Sequence, residues 1–217
     1  MPPPMTGSTF FTKFLNYCGQ LRPYSYADLF IMLIWLGAGP RELTSCSFLW
    51  FGFLIYLEIE HRDAGRLRWH WSVWLSCWIV GVLVYPRWSQ LLFISSAVLY
   101  SLKKRPAFGW ISPVFNGLVK SALVLGLPNA SVRNTSIVFV VMTLRNLIGD
   151  IRDSHKDLCE HAKTIPVLLG WTRNVPIIYP LALATTSALW VWLGRLQWYV
   201  LAFAWTVQVL TYRLTRR

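Results

Sequence analysis

The sequence predicts an all-α protein, a multi-pass transmembrane bundle of about eight helices. Its 217 residues are 55% hydrophobic and only 14% charged, whereas soluble domains carry roughly a quarter charged residues. Long runs contain no Asp, Glu, Lys or Arg, and most of the nine acidic residues fall in two short clusters. Because lipid offers the backbone no hydrogen bonds, helices are the expected form of such runs.

The apolar runs organise a single domain, residues 1–217, which opens with a polar-to-amphipathic lead-in at 1–22. We place the spans near 24–40, 43–60, 69–86, 88–102, 107–127, 134–150, 174–194 and 196–213. Crossing the hydrocarbon core takes roughly 20 helical residues, so the spans account for most of the chain. The thirteen tryptophans suit anchoring at the membrane surfaces, because the indole ring is apolar with one polar edge.

The formal net charge of +12 is carried by basic residues that lie between the apolar runs. Membrane lipids with anionic headgroups and an anionic substrate are therefore the expected partners, and nucleic acid is not. With eight spans, most lysines and arginines fall on the side that carries both acidic clusters. The positive-inside rule then places both clusters on the cytoplasmic side of an integral membrane protein. The four cysteines show neither metal-ligand spacing nor a disulfide framework.

Three aspartates directly follow one of the apolar runs. Asp150, Asp153 and Asp157 stand at positions i, i+3 and i+7, which puts them on one face of a helix. Like charges repel, so a helix gains no stability from gathering them. A divalent cation reverses that balance, and Mg²⁺ is commonly held by one or two carboxylates together with substrate phosphates. The pattern predicts a Mg²⁺ site at a membrane surface; the alternative is a solvated acidic helix end.

The segment continues from Lys163 to Gly170 as Lys-Thr-Ile-Pro-Val-Leu-Leu-Gly. With the three aspartates, this order resembles the second aspartate-rich motif of the UbiA-type intramembrane prenyltransferases, a family that includes related membrane terpene cyclases. The resemblance covers about residues 20–213 and implies that the helices surround a central cavity. It implies a Mg²⁺-dependent membrane prenyltransferase that ionises an isoprenyl diphosphate and transfers the prenyl group to an aromatic or lipid acceptor. The first alternative is a terpene cyclase that acts on the isoprenyl diphosphate alone.

The other acidic cluster contains Glu58, Glu60 and Asp63, at the end of the second span. The family motif at this place reads N-D-x-x-D-x-x-x-D, which this sequence does not reproduce. The resemblance still implies that these three carboxylates bind Mg²⁺ and that Arg66 contacts the diphosphate. The alternative is a salt-bridged helix end, with Glu58 paired to Arg62 and Asp63 to Arg66.

Basic and amide side chains are the expected diphosphate ligands. In the family, the loop between the fourth and fifth helices often begins Tyr-Ser and carries a basic residue, and here Tyr100 and a serine precede Lys103 and Lys104. Positive-inside bias is the alternative for these two lysines. Lys120 stands within an apolar run, where a charge usually faces a cavity or a partner unless it snorkels to the surface. The implied diphosphate ligands are Lys103, Lys104, Asn116, Lys120, Arg66 and Lys163.

The implied reaction is ionisation of an allylic diphosphate by metal-ion catalysis. An apolar bundle would shield the carbocation from water until an acceptor, or its own double bonds, captures it. The altered first motif leaves a further alternative, a non-catalytic membrane partner or lipid binder. Family members usually have nine helices, so a partner subunit or an oligomer is an alternative source of a closing helix. The resemblance assigns catalytic roles to Asp150, Asp153, Asp157 and Asp63.

Overall fold

A computed structural model describes residues 24–61, 69–105, 107–171, 178–194, 196–203 and 205–206. Within these ranges the regular structure is helical, and no β-strand occurs. The helices are α1 (Tyr24–Trp35), α2 (Pro40–His61), α3 (Trp71–Val84), α4 (Ser89–Ser101), α5 (Ser112–Val124), α6 (Val132–Cys159), α7 (Ile165–Leu168) and α8 (Ile178–Gly194). Residues 198–203 are also helical. The all-α prediction is confirmed for this part of the chain.

None of the helices in the described ranges combines the length and the apolar character needed to span a bilayer.

The helices fall on the predicted apolar runs, although several runs differ from them in extent. The run predicted at 24–40 holds a helix that ends at Trp35. The run predicted at 107–127 opens with a turn and a short 3-10 helix, Gly109–Ile111, so α5 begins only at Ser112. The run predicted at 134–150 belongs to a helix that continues to Cys159. Apolar character reports burial, whereas helix ends depend on capping and backbone geometry. The aspartate motif consequently lies within the last turns of α6.

A left-handed residue that is not glycine follows the end of α6. His161 has a φ of 56°. Its N–H donates to the Leu158 carbonyl at 3.1 Å, and the Ala162 N–H donates to the Asp157 carbonyl at 2.8 Å. These two bonds form the Schellman arrangement that closes many helix C-termini. The loop that leads to α7 begins here, and its hydrogen bond to the Asp157 carbonyl holds it against the end of α6.

α2 and α3 pack closely because glycines lie in their interface. A Cβ on Gly52 would come within 2.6 Å of the Trp78 ring, and one on Gly81 within 2.8 Å of the Leu49 side chain. Two hydrogen bonds cross the same interface. Ser45 Oγ donates to the Gly81 carbonyl at 2.6 Å, and the Trp78 indole donates to the Leu49 carbonyl at 3.1 Å. The backbones of the two helices are therefore in near-direct contact.

α4, α5 and α6 pack in sequence order and support the candidate site. The rings of Phe53 and Tyr100 join α2 to the end of α4, with centroids 5.8 Å apart. Gly117 lets α5 approach α6, since a Cβ there would come within 2.9 Å of the Phe139 carbonyl. The 3-10 helix Leu102–Lys104 follows α4 directly. This arrangement brings the end of α4, the start of α5 and the second half of α6 together.

Candidate functional site

Side chains from separate elements converge on the second half of α6. The Lys103 ammonium donates to Oδ1 of Asp150 at 2.6 Å and lies 4.0 Å from Oδ2 of Asp157. The Lys103 side chain is 12% exposed, and each aspartate side chain is 3% exposed. The structure thus brings a lysine and two aspartates from separate sequence motifs into one buried cluster.

Opposite charges hold this cluster together. Burial alone would lower the pKa of the Lys103 ammonium, but the negative charges of Asp150 and Asp157 raise that pKa above its ordinary value. Lys103 therefore stays protonated and offsets the repulsion between the two carboxylates. An ammonium held in this way is also a strong donor for phosphate oxygens.

Ser112 adds a contact that the sequence did not predict. It is the first residue of α5, it is fully buried, and its hydroxyl donates to Oδ2 of Asp150 at 3.1 Å. Both oxygens of Asp150 are consequently hydrogen-bonded, which fixes the orientation of that carboxylate. The local sequence, Ser112-Pro113, signals a helix start but carries no information about a partner 38 residues away.

Asp157 retains capacity for a further ligand. Its Oδ2 atom is buried and accepts no hydrogen bond from the described residues, and the Lys103 ammonium lies 4.0 Å away, beyond hydrogen-bond distance. Buried carboxylate oxygens normally accept a hydrogen bond or bind a cation directly. The Asp150 and Asp157 carboxylates therefore fit Mg²⁺, which prefers oxygen ligands. Within the described ranges, no three acidic, histidine or cysteine side chains form a group that could hold a metal ion. Phosphate or water oxygens would have to complete the coordination shell.

Three other predicted ligands lie close in sequence to the residues of this cluster. Asp153 is half-buried on α6, and Asn116 is half-buried one turn after Ser112 on α5. Lys163 is exposed. Its backbone packs against Gly109, where a Cβ would come within 2.7 Å of the Lys163 carbonyl carbon. The contact holds the loop after α6 beside the 3-10 helix that precedes α5, and the roles of these side chains stay predictions.

Lys120 lies apart from the aspartates. The residue is 3% exposed, and its ammonium lies 3.3 Å from the centroid of the Trp50 ring. Snorkelling would bring the ammonium to the surface, and the structure does not show this. Lys120 lies eight positions after Ser112 on α5, which is about 12 Å of helix.

Much of the first acidic cluster lies outside the described residues. Glu58 and Glu60 belong to the last turn of α2, but their side chains are not described. Asp63, Arg66 and the side chain of Lys104 also lie outside the described part of the structure. The metal and diphosphate roles predicted for them remain predictions.

Comparison with known proteins yields no family model and no curated protein that matches the chain. A solved structure of a UbiA homolog from Archaeoglobus fulgidus, bound to DMAPP and Mg²⁺, is similar to the chain with 15% sequence identity and a TM-score of 0.49. The similarity covers 92% of this chain and 85% of that one. At this level of likeness, the comparison does not by itself support a function for the chain.

Proposed function

We propose that this chain is a UbiA-type membrane prenyltransferase that depends on Mg²⁺, ionises an isoprenyl diphosphate and transfers the prenyl group to an aromatic or lipid acceptor. One observation carries the proposal. Asp150 and Asp157 belong to the aspartate motif, and both face Lys103, which belongs to the Tyr-Ser loop. Two sequence motifs that the family resemblance links are therefore in contact.

Each residue of the cluster would have a separate role in binding a diphosphate and its metal ion. Asp150 and Asp157 would hold Mg²⁺, and Ser112 keeps Asp150 oriented. When bound, Mg²⁺ supplies Lewis-acid stabilisation of the leaving diphosphate. Lys103 donates to carboxylate oxygens in the structure and would donate to diphosphate oxygens in the complex. The motifs predict further metal ligands at Asp153, Glu58, Glu60 and Asp63, and further phosphate contacts at Lys104, Asn116, Arg66, Lys120 and Lys163.

Exposed apolar side chains support a membrane location. Leu83, Leu91 and Trp192 are each more than 70% exposed, and they lie on three different helices. Each of these helices exposes further large apolar side chains, and surfaces of this kind usually mark a site of contact with another protein or a membrane. Lipid around these faces would also suit an isoprenyl chain as the substrate.

The test is product analysis with geranyl, farnesyl and geranylgeranyl diphosphates, each with and without Mg²⁺ and with candidate acceptors. Asp150→Asn serves as the blank, because it removes one charge from the cluster without changing its size. Glu42→Gln, in the first turn of α2, is the matched control for loss of a carboxylate elsewhere. An acceptor-dependent adduct that the control makes and the blank does not would support the transferase.

Other outcomes of the product analysis would indicate a different function. A cyclised hydrocarbon or alcohol formed without an acceptor would replace the transferase with a terpene cyclase. Intact diphosphate with every donor, together with no Mg²⁺-dependent binding, would contradict both and favour a non-catalytic membrane partner.

A further inference from the structure

Arg87 lies in the connection between α3 and α4, and its side chain contacts two other helices. Nη1 donates to the carbonyl of Leu125, just after α5, at 3.2 Å. Nη2 donates to Sγ of Cys46 on α2 at 3.5 Å. The thirteen residues of α4 separate this connection from the loop that carries Lys103, which is about 20 Å of helix. Arg87 and the aspartate cluster are therefore at opposite ends of α4.

The Arg87 guanidinium has donors that the described residues do not use. A guanidinium carries five N–H groups, and in the structure its side chain donates to one carbonyl and one sulfur atom. The Nε atom is buried and has no hydrogen-bond partner within the described ranges. The thiol sulfur of Cys46 is a weak acceptor. Because buried donors normally find an acceptor, the oxygen atoms of a ligand would complete this set of hydrogen bonds.

The positive charge of Arg87 has no carboxylate partner in the described part of the chain. Glu42, one turn before Cys46 on α2, does not form an ion pair with it. The guanidinium carbon lies 4.8 Å from the centroid of the Tyr85 ring, and this aromatic face compensates part of the charge. An anionic group would compensate the rest.

A groove of about 430 Å³ lies beside the Arg87 side chain. It is lined by Val82, Pro86, Arg87, Trp88, Gln90 and Leu91. Trp88 and Leu91 are 68% and 71% exposed, so the groove faces outward. Gln90 fixes the shape of the connection, because its Nε2 donates to the Tyr85 carbonyl at 2.7 Å and its Oε1 accepts from the Arg87 N–H at 3.2 Å. The groove is therefore a formed, mainly apolar surface with one cation beside it.

We propose that Arg87 binds the phosphate group of a phospholipid whose acyl chain lies in this groove. Phosphate oxygens match the planar fork of N–H groups on a guanidinium. The apolar walls suit a hydrocarbon chain, from which a small soluble anion would gain nothing. Trp88 stands next to Arg87, and tryptophan is common at the level of lipid headgroups. The inference shares only the membrane location with the proposed function and does not depend on catalysis.

The experiment is a lipid titration of the purified, delipidated full chain in detergent, with bound lipid counted by native mass spectrometry. Dioleoyl phosphatidylglycerol is the test ligand. Dioleoylglycerol has the same acyl chains without the phosphate, and glycerol phosphate has the phosphate without the acyl chains. The variants are Arg87→Gln, Arg87→Lys and Trp88→Ala. Arg133→Gln is the matched control, because Arg133 is an exposed arginine at the start of α6.

We expect the wild-type chain to bind its first phosphatidylglycerol more tightly than either partial ligand. Arg87→Gln should weaken that binding about 10- to 100-fold, the usual effect of losing a charge-assisted hydrogen bond. Arg87→Lys should weaken it less, because the charge remains while the fork of donors is lost. Trp88→Ala should also weaken it, and Arg133→Gln should leave it unchanged. Arg87→Gln should still fold, since the Leu125 carbonyl also accepts from the Ser89 hydroxyl at 2.7 Å.

Equal phosphatidylglycerol affinity in the wild type and Arg87→Gln would overturn the site, and so would an equal loss in Arg133→Gln. Dioleoylglycerol that binds as tightly as phosphatidylglycerol would show that the phosphate is not recognised. Glycerol phosphate that binds as tightly would replace the lipid with a soluble anion. If Arg87→Gln does not fold, unchanged affinity in Trp88→Ala overturns the proposal. Failure of the proposed function appears separately, as no Mg²⁺-dependent turnover by the wild type, whatever the lipid titration shows.

Discussion

The Lys103 ammonium lies 2.6 Å from Oδ1 of Asp150, although the two residues are 47 positions apart in the chain. With Asp157 at 4.0 Å, the lysine stands between two carboxylates as an internal cation. A bound Mg²⁺ would take over part of that role, and Lys103 would turn toward the phosphate. The site is in this sense preassembled around a positive charge.

Replacement of Lys103 by methionine should destabilise the chain and increase its response to Mg²⁺. Breaking a buried ion pair on one side typically costs about 3–5 kcal/mol of unfolding free energy, because a buried charge is left uncompensated. Mg²⁺ can then restore the missing positive charge. Thermal unfolding with and without Mg²⁺ should show a larger upward shift in Tm for Lys103→Met than for the wild type. An equal shift would mean that the metal does not bind where the ammonium lies.

Loss of the Ser112 hydroxyl should weaken metal binding through the orientation of Asp150. Ser112→Ala should lower the unfolding free energy by about 1.5–3 kcal/mol, the usual net value of a hydrogen bond to a charged group, and reduce affinity for Mg²⁺ with pyrophosphate. Ser121→Ala is the matched control, since Ser121 is a buried serine of the same helix that donates to the Thr135 carbonyl at 3.4 Å. If both variants lose metal affinity equally, Ser112 has no special part in the site.

Gly109 should not tolerate a side chain. A Cβ there would come within 2.7 to 3.0 Å of the Lys163 backbone, so Gly109→Ala should move the loop after α6 away from the start of α5. We expect a lower Tm and slower turnover. Gly149→Ala is the control, because nothing lies within 4 Å of a Cβ at that helical position. That change should raise the unfolding free energy by about 0.5–1 kcal/mol. If Gly109→Ala were more stable than Gly149→Ala, the contact would be refuted.

Replacement of His161 by glycine should stabilise the end of α6. The left-handed backbone costs a residue with a side chain about 1–2 kcal/mol, and glycine adopts it without that cost. Denaturant unfolding should therefore show a higher unfolding free energy for His161→Gly. His155→Gly, an exposed position inside the same helix, should lower it by about 1 kcal/mol. A destabilised His161→Gly would indicate that the imidazole contributes more than the backbone strain removes.

Helix positions and the shared face of the aspartates were predictable from the sequence because local sequence signals encode them. Apolar runs located the helices, and the i, i+7 spacing placed Asp150 and Asp157 on one face of α6. The partnership of Ser112 with Asp150 was not predictable, because it depends on how α5 packs against α6 through Gly117. The charge on Lys120 signalled a buried partner, but only the fold shows that Trp50 is that partner.

The close contact of α2 and α3 at Gly52 and Gly81 affects how stable this helix pair is in apolar surroundings. Helices that meet at backbone distance attract one another by dispersion forces and by hydrogen bonds such as that from Ser45 to the Gly81 carbonyl. Neither force requires water to be expelled. The α2–α3 pair should therefore remain associated in hydrocarbon-like surroundings, where burial of apolar surface gives no driving force. It can then form the first stable unit onto which the other helices assemble.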